Sequence, residues 1–520
     1  MFKNILCFLH KISAAILFLL IVVTFANAQY KGAKPVPLKW RKGFQSIKVA
    51  DAKNLLEFIA GPDFLGRSPA QPGFAAAAGF AASYFRQNGL KPAGTEDSYL
   101  QRFTLIEVRV LPETTAIESV DKTLRLEFGK DFIFRAPADF ETNAQFAFVR
   151  LPKGADASSL DLTALKGKIV VISPDSIANN REAVLKLIGF NPANLQALAL
   201  VNPIKTSTAL GDPGATQRIK DIAQPNDNKF SFLRLMESAA NKIAENCGAK
   251  NYLATETAQA TIETCNKDFV FRAKTSSKDL FETMNVIAKI EGSDPVLKNE
   301  AVFIGAHLDH FGVRNNTVMW GADDDGSGVT AVMMIAKALM QNTIKPKRTV
   351  IIALWSGEEL GVLGSRTYVN RPTFPLDKVI TYLNLDMVGR NEEDKRFNEK
   401  PENNTTSVYT GSVKFNSEDL YKLLYQMNTF VNLRLKDDHE DRILRTDTAN
   451  FYNRNIPTLK TFTGEHLDYH KPTDTPDKIN YEKLTNVAKW IYLTTMELAN
   501  NPTKPRYEKK PFVAAPNPTD

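Results

Sequence analysis

From about residue 283 the chain repeats one pattern: a short apolar run, a loop, then a helical stretch. Val302–Ala306, Thr349–Trp355 and Val379–Leu385 read as strands, while Ser327–Met340, Glu358–Val369 and Ile479–Leu498 carry apolar residues at helical spacing. Strands that are apolar on both sides need cover on both faces. The pattern therefore predicts an α/β fold, a mixed central β-sheet flanked by helices. Ligands of such sheets bind beyond the carboxyl ends of the strands. Here the first run leads into His307-Leu308-Asp309, the second into Glu358-Glu359 and the third into Asp386. Between the first two, Asp323-Asp324-Asp325 opens a helix. Singly these are ordinary solvated strand ends. Together, on one sheet edge, they predict a site.

The histidines fall in the same region. All five beyond residue 28, His307, His310, His439, His466 and His470, belong to the α/β part. Histidine with carboxylate is the donor set of an open zinc site. Zinc-finger spacing and His-Glu-x-x-His are both absent, so the ligands must come from separate loops. Two ions roughly 3.5–4 Å apart need a bridging carboxylate and terminal ligands on either side. His307, Asp324, Glu359, Asp386 and His470 suffice for this. One further carboxylate must stay free to take a proton. Glu358-Glu359 suits that division, because adjacent side chains point differently. Asp309 is the natural partner of a metal-bound imidazole at His307. A calcium loop at the triple aspartate fails on EF-hand spacing, and no Gly-x-Ser-x-Gly elbow offers a serine hydrolase. His310, His439 and His466 read as surface or supporting groups.

Composition bounds the rest. With 43% apolar and 10% aromatic residues in 520, the chain is long enough for two or three packed domains and is not disordered. Its net charge of +7 is spread along the sequence, without the basic stripe of a nucleic-acid reader, so no nucleic-acid partner is expected. Residues 1–28 have the layout of a secretory signal peptide: Lys3 and Lys11, the apolar run Ala14–Phe25, then Ala26-Asn27-Ala28. An uncleaved anchor is the alternative, although a spanning helix needs about 20 apolar residues. The expectation is an exported protein, periplasmic or secreted, off the membrane once the signal is removed. Cys247 and Cys265 would then meet an oxidising compartment, where a disulfide and two buried thiols both remain open.

The set His307-x-Asp309, Gly321–Gly328, Glu358-Glu359 through Ser365, Asp386–Gly389 and Tyr469-His470 resembles the M28 family of di-zinc peptidases. Gly66-Arg67 and Thr461–Gly464 fit as well, so the likeness covers about 50–100 and 283–500. It implies the zinc exopeptidase fold, peptide substrates and two zinc ions per chain. It also implies roles: His307 and Asp386 on one ion, Glu359 and His470 on the other, Asp324 bridging, Glu358 as general base and Tyr469 at the oxyanion. Asp323 stands where the family commonly has Asn, and Asp325 is variable. Arg445-Thr446-Asp447-Thr448 departs from an Arg-Ser-Asp-His pattern, which puts substrate contacts there in doubt.

The implied activity is an exported zinc aminopeptidase. Glutaminyl cyclase, carboxypeptidase and a non-catalytic receptor-like protein are the alternatives. In this division 29–102 is a lead-in with helices at Asp51–Ala60 and Gly73–Asn88, 283–500 the catalytic domain and 501–520 a flexible tail. Residues 103–282 form an inserted β-rich module with strands at Phe146–Leu151, Lys168–Ile172 and Ala197–Val201 and helices at Asn180–Ile188 and Phe232–Glu245. Leu165–Ile172 and Ala197–Asn202 make it similar to a protease-associated (PA) domain, set as a wall over the metal edge.

Overall fold

The computed structural model describes residues 30–509, except 137, 153–160, 174–175, 177–198, 202, 204–216, 224–231, 255–258, 393–399, 412 and 438–445. The signal peptide, the Asn180–Ile188 helix, His439 and Arg445 lie outside the described residues. Its framework is a ten-stranded sheet. Four parallel strands form the middle, in the order Thr349–Trp355, Ala301–His307, Val379–Leu385 and Thr458–Phe462. Antiparallel strands extend both sides: Thr275–Ile290, Leu100–Val110 and Gln217–Asp221 beyond the first, and Ser407–Gly411 beyond the last.

Strand side chains alternate between faces, and here both faces are buried. Val302, Ile304, Val350, Ile352 and Leu354 enter one core with the helices Leu38–Ser46, Val49–Ile59, Pro72–Gln87, Gly328–Gln341, Glu418–Asn428 and Tyr481–Asn500. Phe303, Ile351, Ala353 and Trp355 enter the other, an aromatic cluster with Tyr368, Tyr382 and Phe451. Within it Trp355 Nε1 donates to the Tyr382 hydroxyl at 2.7 Å, so the one polar edge of the indole is satisfied. The central runs are thus continuously apolar because neither face meets water.

Between residues 110 and 273 lies a separate apolar core around Phe132, Phe134, Phe146, Phe269 and Phe271. Two four-stranded sheets surround it, Thr261–Thr264 with Phe146–Arg150, Ile169–Ile172 and Ala199–Val201, and Arg125–Glu127 with Ala116–Ser119, Phe269–Ala273 and Phe140–Ala144. Cys247 and Cys265 are disulfide-bonded, 18 residues apart. Closing a loop of that size contributes about 3 kcal/mol in the chain-entropy account. Calorimetry of Cys247→Ser/Cys265→Ser should register that loss, and an unshifted transition would sink it.

Three element boundaries differ from expectation. The helix predicted over Glu358–Val369 starts only at Leu363, because Gly357, Gly361 and Val362 hold positive φ (71°, 109° and 53°), which a helix cannot continue through. Phe232–Glu245 divides into a strand, Phe232–Leu235, and a helix, Glu237–Cys247. The lead-in contains a helix, Leu38–Ser46, anchored by Trp40 and Phe44. Among the described residues no helix is long and apolar enough to cross a membrane.

Candidate active site

The carboxyl ends of the four parallel strands meet at a cavity of about 440 Å³. His307 is the last residue of its strand, Asp386 directly follows Leu385, and Glu358-Glu359 lie on the loop after Trp355. Asp324 comes from the turn before the Gly328–Gln341 helix, and Tyr469-His470 from the segment after Phe462. All seven line the cavity.

Asp324 joins two groups. Its Oδ1 is 3.2 Å from His307 Nε2, which is 3.8 Å from Asp386 Oδ1. Its Oδ2 is 3.1 Å from His470 Nε2, which is 3.5 Å from Glu359 Oε2. His307, Asp324 and Asp386 present ligand atoms within 4.8 Å of one another, and so do His310, Asp324 and Glu359. His310 is therefore buried inside the second group, with Nδ1 2.7 Å from Glu359 Oε1 but off the hydrogen-bonding direction. His466 is buried too, 3.3 Å from Asp323.

The cluster is too acidic to be content by itself. Burial, then Asp447 and Asp386, pushes Glu358 well above the usual carboxylate range, and burial with Asp324 and Glu358 does the same to Glu359. Burial holds His310 down at about 3, so it adds no charge. For His307 burial acts downward, but hydrogen bonds to Asp324 and Asp386 with the Asp325 charge outweigh it and raise the imidazole. Burial alone would raise Asp324, yet His307 and His470 hold it low. Buried carboxylates that converge with imidazoles, and an unsatisfied Glu359 Oε1, fit a metal-binding donor set.

Backbone groups fix these side chains. The Asp309 carboxylate accepts from Glu358 N–H at 3.1 Å and Glu359 N–H at 3.3 Å, while its main-chain carbonyl lies 3.0 Å from His307 Nδ1. Asp309 thus sets both the imidazole and the glutamate pair. The neighbours of Asp324, which sequence reasoning gave no task, knit the loops together. Asp325 accepts from His307 N–H, Gly328 N–H and Met387 N–H at 3.0–3.1 Å. Asp323 accepts from Gly389 N–H at 2.7 Å, and Asp474 from the amides of Asp323 and Asp324. A Cβ on Gly328 would stand 2.3 Å from Asp325 Oδ1 and 2.4 Å from the Leu385 carbonyl, so only glycine lets the helix approach this closely. The signal in sequence was three consecutive acids before an apolar helix, since buried carboxylates need donors.

Arg67, fully buried, closes the rear. It donates to the carbonyls of Leu308 (2.9 Å), Ile59 (3.1 Å), Trp320 (3.1 Å) and Gly321 (2.7 Å), tying the loops that carry His307 and Asp324. His470 and Met387 sit at φ 56° and 57°, a left-handed conformation costly outside glycine and held by their surroundings. Tyr469 stacks on His470 at 3.7 Å, and burial with the nearby acids raises its hydroxyl, which keeps its proton. Thr448, at the departure from the family pattern, is buried beside Thr446, and Asp447 accepts from Ser365 Oγ.

Residues 285–495 match Peptidase family M28. Leucine aminopeptidase 2 of Trichophyton rubrum is 29% identical over 259 residues, 44% of this chain and 49% of that protein. Leupeptin-inactivating enzyme 1 of Streptomyces exfoliatus is 38% identical over 189 residues, 36% of this chain and 37% of its own. This chain spans about half the length of the leucine aminopeptidases it matches. The solved aminopeptidase from Aneurinibacillus sp. strain AM-1 aligns over 92% of this chain and 98% of that one, at 18% identity and a TM-score of 0.46. Over residues 285–495, which hold the site that those strand ends assemble, the chain is similar to peptidase family M28.

Proposed function

We propose that the protein is an exported zinc-dependent aminopeptidase that removes N-terminal residues from peptides. The observation that carries this is Asp324, one carboxylate reaching His307 at 3.2 Å and His470 at 3.1 Å in a cavity that Glu358 also lines. Two zinc ions, one on His307, Asp324 and Asp386 and the other on Asp324, Glu359 and His470, would supply the Lewis acidity that makes water a nucleophile at neutral pH. Glu358 takes the proton of the attacking water on a carboxylate oxygen and returns it to the leaving amine nitrogen. Burial raises its pKa, which suits a group that must both accept and release a proton. Tyr469 retains its proton and donates to the oxyanion. Asp309 holds the Glu358 backbone while these transfers occur.

The division into 29–102, 103–282, 283–500 and 501–520 belongs to the same reading. Residues 103–282 act as a PA-like wall that limits the length of peptide reaching the cavity. In the test, zinc-loaded protein meets peptides free or acetylated at the amine. Release of the first residue should need the free amine, stop with chelator and return with zinc. Hydrolysis that survives chelation, or that begins only at the carboxyl end, sinks this reading.

A further inference from the structure

Arginines in this molecule are anchored where they are buried. Arg67 meets four carbonyls, and Arg348 pairs with Glu300 at 2.8 Å and donates to the Leu498 carbonyl at 2.9 Å. Arg366 differs. It projects half-buried from the Leu363–Asn370 helix and lines the same cavity as His307, Glu358 and His470. Among the described residues its guanidinium meets no carboxylate, no hydrogen-bond acceptor and no ring. Burial alone acts on its pKa, downward, with no acid close enough to oppose it. The other long cation of the cavity is engaged: Lys460 Nζ is 3.8 Å from Asp386 Oδ2 and 4.3 Å from the Phe462 ring.

A guanidinium that faces the cavity without a partner is a ready fork for an anion when the cavity is filled. The helix that carries it is fixed. Val362 and Ser365 accept from or contact Asn450 Nδ2 at 3.1 and 2.7 Å, and Ser365 also reaches Asp447. The cation is therefore presented by a braced wall, and the carboxylates Glu358, Glu359 and Glu465 line the same cavity without pairing with it. A cavity lined by acids and by an unpaired guanidinium matches a ligand that carries both charges.

We propose that Arg366 is the carboxylate subsite of this cavity, and that the preferred substrates are short peptides carrying a free carboxylate. This rests on the aminopeptidase reading above. Planar pairing of guanidinium with carboxylate gives two parallel hydrogen bonds. The carboxylate comes from the peptide C-terminus or from an acidic side chain beside the scissile bond, and the experiment separates the two.

Calorimetry on the zinc-loaded Glu358→Gln protein would compare Leu-Leu with Leu-Leu-amide, and Leu-Glu-amide with Leu-Gln-amide. The acid of a pair should bind about tenfold to a hundredfold more tightly than its neutral twin, the range of a hydrogen bond to a charged group. Selectivity in the first pair identifies the C-terminus, and in the second the side chain. Adding Arg366→Ala should erase the selectivity, and Arg366→Lys should restore part of it, which a folding defect would not do. Equal affinities in both pairs, or selectivity that survives Arg366→Ala, overturn the proposal. Acid-selective binding without hydrolysis of any of these peptides by the wild-type protein overturns the aminopeptidase reading and leaves the carboxylate subsite standing.

Discussion

Glu358→Gln should lower kcat by about 10²- to 10⁴-fold, the usual contribution of a positioned general base, with the zinc content of the protein unchanged. Glutamine keeps the volume and one carbonyl oxygen but cannot take a proton. Glu358 belongs to neither ligand group, and the main-chain N–H that Asp309 holds is the same in both proteins. The effect is therefore chemical rather than structural. The wild-type rate should also fall as the pH drops through the pKa of Glu358, because the protonated form is no base. Burial moves that acid limb above the ordinary carboxylate range, and the variant should lack it. Stopped assays with metal analysis check both statements. A variant that loses zinc in step with activity would make Glu358 a ligand instead.

Arg67→Ala should be strongly destabilising, at about 3–5 kcal/mol, the cost of removing one member of a buried charged network. Four carbonyls lose their donor together, and Asp325, Asp324, Asp474 and Asp309 lose a nearby positive charge. Because the bonded carbonyls at Leu308, Trp320 and Gly321 belong to the loops bearing His307 and Asp324, zinc affinity should fall with stability. Arg67→Lys should recover little, since a single ammonium cannot reach acceptors spread around a planar fork. Denaturant unfolding in zinc-saturated and chelated protein measures both effects. Unfolding within about 0.5 kcal/mol of wild type, the range of surface substitutions, would refute the clamp.

The parallel strands were legible because a strand buried on both faces leaves an uninterrupted apolar run, as Val302–Ala306 and Thr349–Trp355 do. Thr275–Ile290 was not, since its first half is exposed and polar and only the later residues enter the core. The Leu38–Ser46 helix hid behind Lys39, Arg41 and Lys42, with only Trp40 and Phe44 at i, i+4 marking its inner face. Of the side chains that line the cavity, His307, Glu358, Glu359 and Asp386 were legible from strand ends, whereas Asp324, Tyr469 and His470 were picked out by the acidic loop, the histidines and the family resemblance. The tasks of Asp474 and Arg67 were not legible, because their partners are main-chain amides and carbonyls, which are the same for every residue type. His310 was placed at the surface or in support for a related reason: nothing in a sequence tells that the turn after Asp309 folds inward against Gly321.

The Tyr481–Asn500 helix packs on Gly328–Gln341, Val49–Ile59 and Leu38–Ser46, and the Tyr492 hydroxyl donates to the Trp40 carbonyl at 3.0 Å. Neighbours this far apart in sequence cannot meet until the later one has been made. While the ribosome is still adding residues, the apolar faces of the early helices have no cover, and the sheet lacks one side of its core. This side of the sheet is therefore covered only once Tyr481–Asn500 has emerged, and until then the early helices stay open to chaperones.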